Sequence, residues 1–270
     1  MVDSINSNSA LGIQQFNKSL SRLNTTQDRI STGLKINGPK DNSAIFAIAQ
    51  VLQGQSAGAA AVKTTLNSAE SVVGTAISGG QVVGDLLTEI KGKIVQANDP
   101  SLDQASRDAI GAEVQQLVDQ VNTVSSTAAF GGTNLIENGA QDFSVLASEN
   151  GDTFSVGAQD FSAQGLGIDS LSVATTGDAS SALAAIDNAI TQASSGLANL
   201  GSSAQRIADQ SEFTTRLDNV LKEGVGNLVD ADLGSEAANL SASRVKEELG
   251  ALSLAIANAG PKALLSLFPG

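Results

Sequence analysis

The chain has 270 residues, a net charge of −13, one Met, eight Phe and no Cys, His, Trp or Tyr. Without Cys and His, zinc, haem and iron–sulfur ligation lose their usual donors, and Ser–His and Cys–His nucleophile pairs are unavailable. A disulfide-stapled fold is excluded, and only a carboxylate-only site is left open for metal or acid–base chemistry.

The charge is unevenly placed. Residues 1–43 carry five basic and three acidic side chains, and residues 228–270 carry three and five. Residues 44–227 carry seven basic and twenty acidic groups, so the middle holds the whole excess. Such a surface repels phosphates, which disfavours nucleic acid as a partner. The start, Met1-Val2-Asp3-Ser4-Ile5-Asn6, is polar and lacks the basic-then-apolar signature of a cleaved leader. No run of about 18 apolar residues points to membrane insertion.

In chain order, Ile13, Phe16, Leu20, Leu23, Ile30 and Leu34 alternate by threes and fours, with Gln27 out of character. That spacing predicts a helix packed along another at a shallow angle. From Ile45 to Ile94 a second stripe runs through Ile48, Leu52, Val62, Leu66, Val73, Val83, Leu87 and Ile90. Seven glycines interrupt it, each costing about 0.8–1 kcal/mol against Ala in a helix interior, so it needs lateral support. A kink near Gly79-Gly80 is expected. Asn98-Asp99-Pro100 reads as a turn, with Ser101 or Asp103 capping a third helix striped by Ile110, Val114, Leu117, Val121 and Val124.

Helical periodicity is lost over 136–176. Phe143, Val145 and Leu146, then Asn150-Gly151, then Phe154 and Val156, predict a β-hairpin closed by an Asn-Gly turn. A long helix resumes with Leu183, Ile186, Ile190, Leu197, Leu200 and Ile207, and Gly224 and Gly226 mark a hinge. In the final helix Leu233, Ala237 and Leu240 give one stripe, and Val245, Leu249, Leu252 and Ile256 resume it after a one-residue shift. Pro261 is expected to end it, before the apolar tail Leu264-Leu265-Ser266-Leu267-Phe268. The fold class is therefore mainly α: long antiparallel helices forming a terminal coiled coil and a helical rod domain, with a small β-hairpin insertion.

Three stretches resemble the bacterial flagellins. They are Arg29-Ile30-Ser31-Thr32-Gly33-Leu34-Lys35-Ile36 with Lys40-Asp41-Asn42-Ser43-Ala44; Phe130-Gly131-Gly132-Thr133-Asn134-Leu135; and Asp230-Ala231-Asp232-Leu233 through Glu236, with Leu254-Ala255-Ile256-Ala257-Asn258 and the apolar tail. The resemblance implies a structural subunit that self-assembles into an extracellular flagellar filament for motility. It implies a terminal coiled-coil domain from 1–43 and 228–270, a helical rod domain from 44–135 and 177–227, and an exposed variable region at 136–176. It also implies export through the flagellar type III apparatus without leader cleavage.

The expected partners are identical subunits, an export chaperone on Leu233, Leu240, Leu249, Leu252 and Ile256, and the cap and hook–filament junction proteins. The residues expected to pack subunits are Ile13, Phe16, Leu20, Leu23, Ile30, Leu34, Leu233, Leu240, Leu249, Leu252, Ile256, Leu264, Leu267 and Phe268. No catalytic, cofactor-binding or metal residues are expected. Two-helix ends of this kind hold too little core to offset chain entropy, so they are expected to order on assembly.

Two family features do not carry over. The segment Leu87-Thr88-Glu89-Ile90-Lys91-Gly92-Lys93 departs from the arginine-rich pattern read by the vertebrate innate receptor, and the absence of His rules out a His-Glu-x-x-His protease insertion. Exposed hydroxyls at Thr175, Thr176, Ser180 and Ser181 are compositional candidates for O-linked sugars. A hook–filament junction protein and a surface adhesin or saccharide-binding role are the alternative readings. The lack of Trp and Tyr weakens the second.

Overall fold

The computed structural model describes the backbone of residues 2–265 and the side chains of residues 10–256 and 259. The side chain of Leu264, and Leu267 and Phe268 entirely, lie outside the described residues. Five helices are present among them: α1 (Val2–Thr32), α2 (Ser43–Ala97), α3 (Gln104–Thr127), α4 (Thr176–Val229) and α5 (Leu233–Leu265). The chain divides into two units, residues 1–54 with 220–270 (unit 1) and residues 55–219 (unit 2). Unit 1 carries nine basic and nine acidic side chains and unit 2 six and nineteen, so the net −13 belongs to unit 2.

Unit 2 is built on antiparallel helix packing. Val62, Leu66, Val73, Val83, Leu87, Ile90 and Ile94 of α2 are buried at the spacing that the sequence predicts. They pack with Ile110, Val114, Val118 and Val121 of α3 and with Ile186, Leu200 and Ile207 of α4. One 18-residue window of α2 reaches a mean hydropathy of 1.3, enough by composition to cross a membrane. Only 17% of that window is buried within the chain; the buried stripe of α2 lies mainly further along, from Val62 to Ile94. Asp103 caps α3 by accepting from the Ser106 N–H at 2.8 Å. Arg107 is buried beneath it, donating to the carbonyl of Ala97 at the end of α2 and to those of Asp99 and Leu102 in the turn that follows.

α2 runs without a break through Gly79-Gly80. The ring of Phe161 sits where Cβ atoms at Gly80 and at Gly196 would each come within 2.5 Å of it. The two glycines form a seat that fastens the 157–173 segment onto both helices. Phe161, Ala163, Leu166, Ile168 and Val173 are all buried, as are Leu135 and Ile136. Much of the region expected to be exposed and variable is therefore core.

Two small sheets interrupt the helices. The predicted hairpin is β3 (Phe143–Leu146) with β4 (Thr153–Val156), in the register Phe143↔Val156 and Leu146↔Thr153. Its turn is wider than an Asn-Gly pair: Ala147 N–H donates to Asp152 O at 2.7 Å and Gly151 N–H to Ser148 O. A second hairpin, unforeseen, pairs β1 (Ala129–Phe130) with β2 (Thr133–Asn134). Gly131 and Gly132, with φ of +59° and +85°, supply the left-handed pair that a two-residue turn requires. The expected hinge at Gly224 and Gly226 is continuous helix; the break falls at Asp230–Asp232. α5 also continues past Pro261.

Candidate assembly interface

Unit 1 is held at one end by a short backbone clasp. α1 stops at Gly33, whose φ of +74° only glycine adopts without strain, with its N–H on Arg29 O. The freed chain then meets the C-terminal segment. Lys35 and Ile36 N–H groups donate to Val229 O, and Ala231 N–H donates to Gly33 O at 2.9 Å. Ile36, Ala49 and Val229 are buried together, with Leu34, Ile45, Phe46, Val225 and Leu228 packed around them. Asp41 accepts from the Asn37 and Gly38 N–H groups, Asn42 caps α2 through the Ile45 N–H, and Asp232 caps α5 through the Gly234 and Ser235 N–H groups. Asp232 thus serves a helix start, whereas Asp230 closes α4 with its N–H on Gly226 O; the Ser235 N–H chiefly holds the Asp232 carboxyl below the usual range.

From the clasp, α1 and α5 run antiparallel as a two-helix coil. Arg29 Nη1 lies 3.0 Å from Glu236 Oε1, near the C-terminal end of one helix and the N-terminal end of the other, so both charges also complement the helix dipoles. Further along, Phe16 packs on Gly250 and Leu254 on Gly12: a Cβ built at either glycine would stand 3.2 Å from the opposing side chain. The seam reads Gly12, Phe16, Ser19, Leu23, Thr26 and Ile30 on α1, and Glu236, Leu240, Ser243, Glu247, Gly250 and Leu254 on α5. Both lines alternate strictly by fours and threes, the spacing of a coiled-coil seam.

The predicted packing residues divide between the two sides of this coil. Phe16, Leu20, Leu23, Ile30, Leu34 and Leu240 are half-buried or buried within the chain. Ile13, Leu233, Leu249, Leu252 and Ile256 are 51–67% exposed. The one-residue shift in the α5 pattern is the passage from one helix face to another. Leu240 faces α1, whereas Val245, Leu249, Leu252 and Ile256 stand on the exposed side. With Ala238, Ala242 and Ala259, also exposed, they form a second line spaced four, three, four, three, four, three. α5 therefore carries two coiled-coil seams, and the chain itself covers one of them. Among the described residues, no cluster of side chains fits a metal ion.

Residues 4–141 match the bacterial flagellin N-terminal helical region, and residues 183–268 match the bacterial flagellin C-terminal helical region. Flagellin FljO of Caulobacter vibrioides is 38% identical over 270 residues, 99% of each chain. The chain belongs to the bacterial flagellins. It is a structural subunit of the flagellar filament, an extracellular assembly of such subunits. A flagellin of Brucella melitensis is 32% identical over 278 residues and 98% of each chain. The solved Bacillus cereus flagellin superposes with a TM-score of 0.51 at 18% identity, covering 56% of this chain and 88% of its own. A solved chain described as a flagellar hook-associated protein of Vibrio parahaemolyticus gives a TM-score of 0.60 at 12% identity, covering 70% of this chain and all of its own. At those identities the two structures speak for the fold alone. The full-length sequence matches are to flagellins, and the junction-protein and adhesin alternatives are not favoured.

The family motifs acquire physical reasons in this geometry. Gly33-Leu34 and Asp230-Ala231, in two of the flagellin-like stretches, pair with one another in the clasp. Asn134 was not singled out by sequence reasoning. Buried, it donates to Ser125 O and accepts from the Ile136 and Glu137 N–H groups, fixing the exit from the β1–β2 hairpin. The polar residue inside the Phe-Gly-Gly-Thr-Asn-Leu run was the available signal. In the receptor-type segment, Leu87 and Ile90 are buried, Lys91 pairs with Asp187 at 2.7 Å, and Lys93 pairs with Glu113 at 2.5 Å.

Proposed function

We propose that the outward seam of α5, Val245, Leu249, Leu252 and Ile256, is the surface through which identical copies pack in the filament, with Leu11, Ile13 and Leu233 extending it. The observation that carries this is the uncovered heptad itself: four large apolar side chains are 55–67% exposed on a helix whose other face is already paired. Fully burying one such side chain contributes about 1.5–3 kcal/mol, so covering four offsets a substantial part of the entropy lost on association. A helix seam of this type asks for another helix, and identical subunits supply it. Leu264, Leu267 and Phe268 belong to the same proposed surface on sequence pattern.

The remaining assignments follow from the same surface. Residues 1–43 and 228–270 form the inner coil of the filament, residues 44–135 and 177–227 the outer helical domain, and within 136–176 the exposed turn at 149–152 is the part presented at the surface. Before assembly, an export chaperone covers Leu249, Leu252 and Ile256, together with Leu233 and the edge of Leu240. Cap and hook–filament junction proteins meet the same ends at the filament's termini. Export proceeds through the flagellar type III apparatus, and the subunit's role is structural rather than catalytic.

The test is assembly of purified full-length chain, followed by electron microscopy and sedimentation. Leu252→Asp places an unpaired charge in the seam and is expected to abolish filaments while leaving unit 2 melting unchanged. Filaments of normal length and threshold from this variant would remove the seam from the interface.

A further inference from the structure

The outward seam needs a surface of matching shape, and unit 1 carries one. Between α1 and α5 lies a groove of about 310 Å³ lined by Gly12, Phe16, Ser19, Gly250, Ser253 and Leu254. Its floor is the half-buried Phe16 and Leu254, and its walls are glycine and serine. Small residues at these seam positions let the two helices approach at the floor while leaving unfilled holes above it. Large side chains spaced four and three residues apart are the knobs that such holes accept. The outward line of α5 offers Val245, Leu249, Leu252 and Ile256 at that spacing.

The charges at the edges agree. Gln15 and Lys246 complete the groove lining, and Gln15, Ser19 and Arg22 follow one another at fours and threes, so the α1 wall leads onto exposed Arg22. The groove thus has one basic side chain in its lining, Lys246 on the α5 side, and a second, Arg22, just beyond it on the α1 side. Exposed Glu248 lies three residues after Val245 and four before Leu252, at the edge of the knob line.

We propose that the outward seam of one copy seats in the α1–α5 groove of the next, with Leu249, Leu252 and Ile256 over Phe16 and Leu254 and the Glu248 edge against Arg22 or Lys246. This rests on the seam being the packing surface; what it adds is where the seam goes. Seam and groove are different surfaces of one unit, so the contact is head-to-tail. It leaves a free seam and a free groove after every addition, which lets a polymer grow. Two copies joined seam to seam would instead use up the surface in a closed pair.

The chain has no cysteine, so single thiols can be placed cleanly. Full-length Leu252→Cys and Ser19→Cys variants would be mixed in equal amounts, assembled, and oxidised under mild conditions. A disulfide forms when Cα atoms come within roughly 4.4–6.8 Å. Mixed filaments are expected to yield dimers linked between positions 252 and 19, identified by peptide mass, with each variant alone giving at most about a tenth as much. Homodimers from Leu252→Cys alone would show seam-to-seam pairing and overturn the proposal, as would filaments with no 252–19 link. Failure of the unsubstituted chain to assemble at any concentration would instead sink the packing surface itself. Ser253→Trp gives an independent reading. Filling the groove is expected to raise the critical concentration at least about tenfold without lowering the melting temperature of unit 1. An unchanged critical concentration would overturn the proposal.

Discussion

Units 1 and 2 use long helices in opposite ways. Unit 2 gathers thirty-two buried apolar side chains into one cluster, fed by three helices and by the 135–173 segment. Unit 1 buries four among its described residues: Leu23, Ile36, Ala49 and Val229. Unit 2 also carries all of the net charge and unit 1 none. A neutral, thinly cored coil is a poor object in isolation and a good one among copies of itself, because packing adds core without adding repulsion. An acidic, well-cored unit is stable in water and resists close packing with its own kind. On the proposed packing, the chain separates the part that associates from the part that faces solvent.

The largest test of this contrast removes unit 1's ends. A chain of residues 44–227 is expected to keep the helicity and melting transition of unit 2 and to form no filaments at any concentration. Loss of that transition would mean that the two units are not energetically separate. Hydrogen exchange on the intact chain sharpens the point. In dilute solution the amides of α1 and α5 should exchange much faster than those of α2 at Val62–Ile94, and assembly should close the gap. Equal protection before assembly would remove the need for copies.

The next effect lies inside unit 2. Phe161→Ala vacates a ring seat whose two sides are glycine, so the neighbouring side chains cannot collapse into it. The expected cost is about 3–5 kcal/mol, read as a fall in the unit 2 midpoint of roughly 10 °C by calorimetry. Gly196→Val should be comparably damaging, since even its Cβ would lie 2.5 Å from the ring. A loss below about 1 kcal/mol for both would show the 157–173 strap to be ornamental.

Phe161 also marks where the sequence was hard to read. Helical stripes were legible because burial on one helix face imposes a spacing of threes and fours, and Leu66, Val73, Leu87, Ile110 and Ile186 all lie where that spacing puts them. The strap has no period: Phe161, Leu166, Ile168 and Val173 are buried by a winding backbone whose partners lie far away in the chain. Gly80 looked like a helix defect because its partner ring lies eighty-one residues onward. On α5 the apolar pattern was visible, but periodicity gives a face and not what covers it. Only the placement of α1 shows that Leu240 is turned inward and Leu249 outward. Asn134 escaped because a buried amide satisfying three backbone groups looks, in sequence, like any polar residue near a turn.

A smaller effect tests the coil itself. Arg29→Ala leaves Glu236, whose side chain is 11% exposed, without its partner. Arg29 is about one-third exposed, so solvent already screens the pair, and the expected cost is about 1 kcal/mol. It should appear as faster exchange at the start of α5 with no change in unit 2. An equal effect on both units would contradict their separation.

The smallest effect is the pH dependence of the helix starts. Asp103 and Asp232 are held below the usual carboxylate range, the first chiefly by the Ser106 hydroxyl and the second chiefly by the Ser235 N–H. Their folded values lie below the unfolded value of about 3.9, so near that pH the unfolded chain binds more protons. Their stabilisation is complete above about pH 4 and is lost as pH falls through the folded values. Lys93 runs the other way: its bond to Glu113 raises it, so its contribution is present below about pH 10 and disappears as pH rises through the folded value. Asn caps a helix about as well as Asp but does not titrate. Asp232→Asn should therefore leave stability at pH 7 nearly unchanged and flatten the acid limb for α5 alone, while Asp103→Asn should flatten it for α3 alone. Both proteins can be followed by residue-resolved exchange from pH 3 to 7. If either substitution changed the acid limb of both helices, units 1 and 2 would be sharing a single transition, and the separation of an associating coil from a self-sufficient core would fail at its weakest joint.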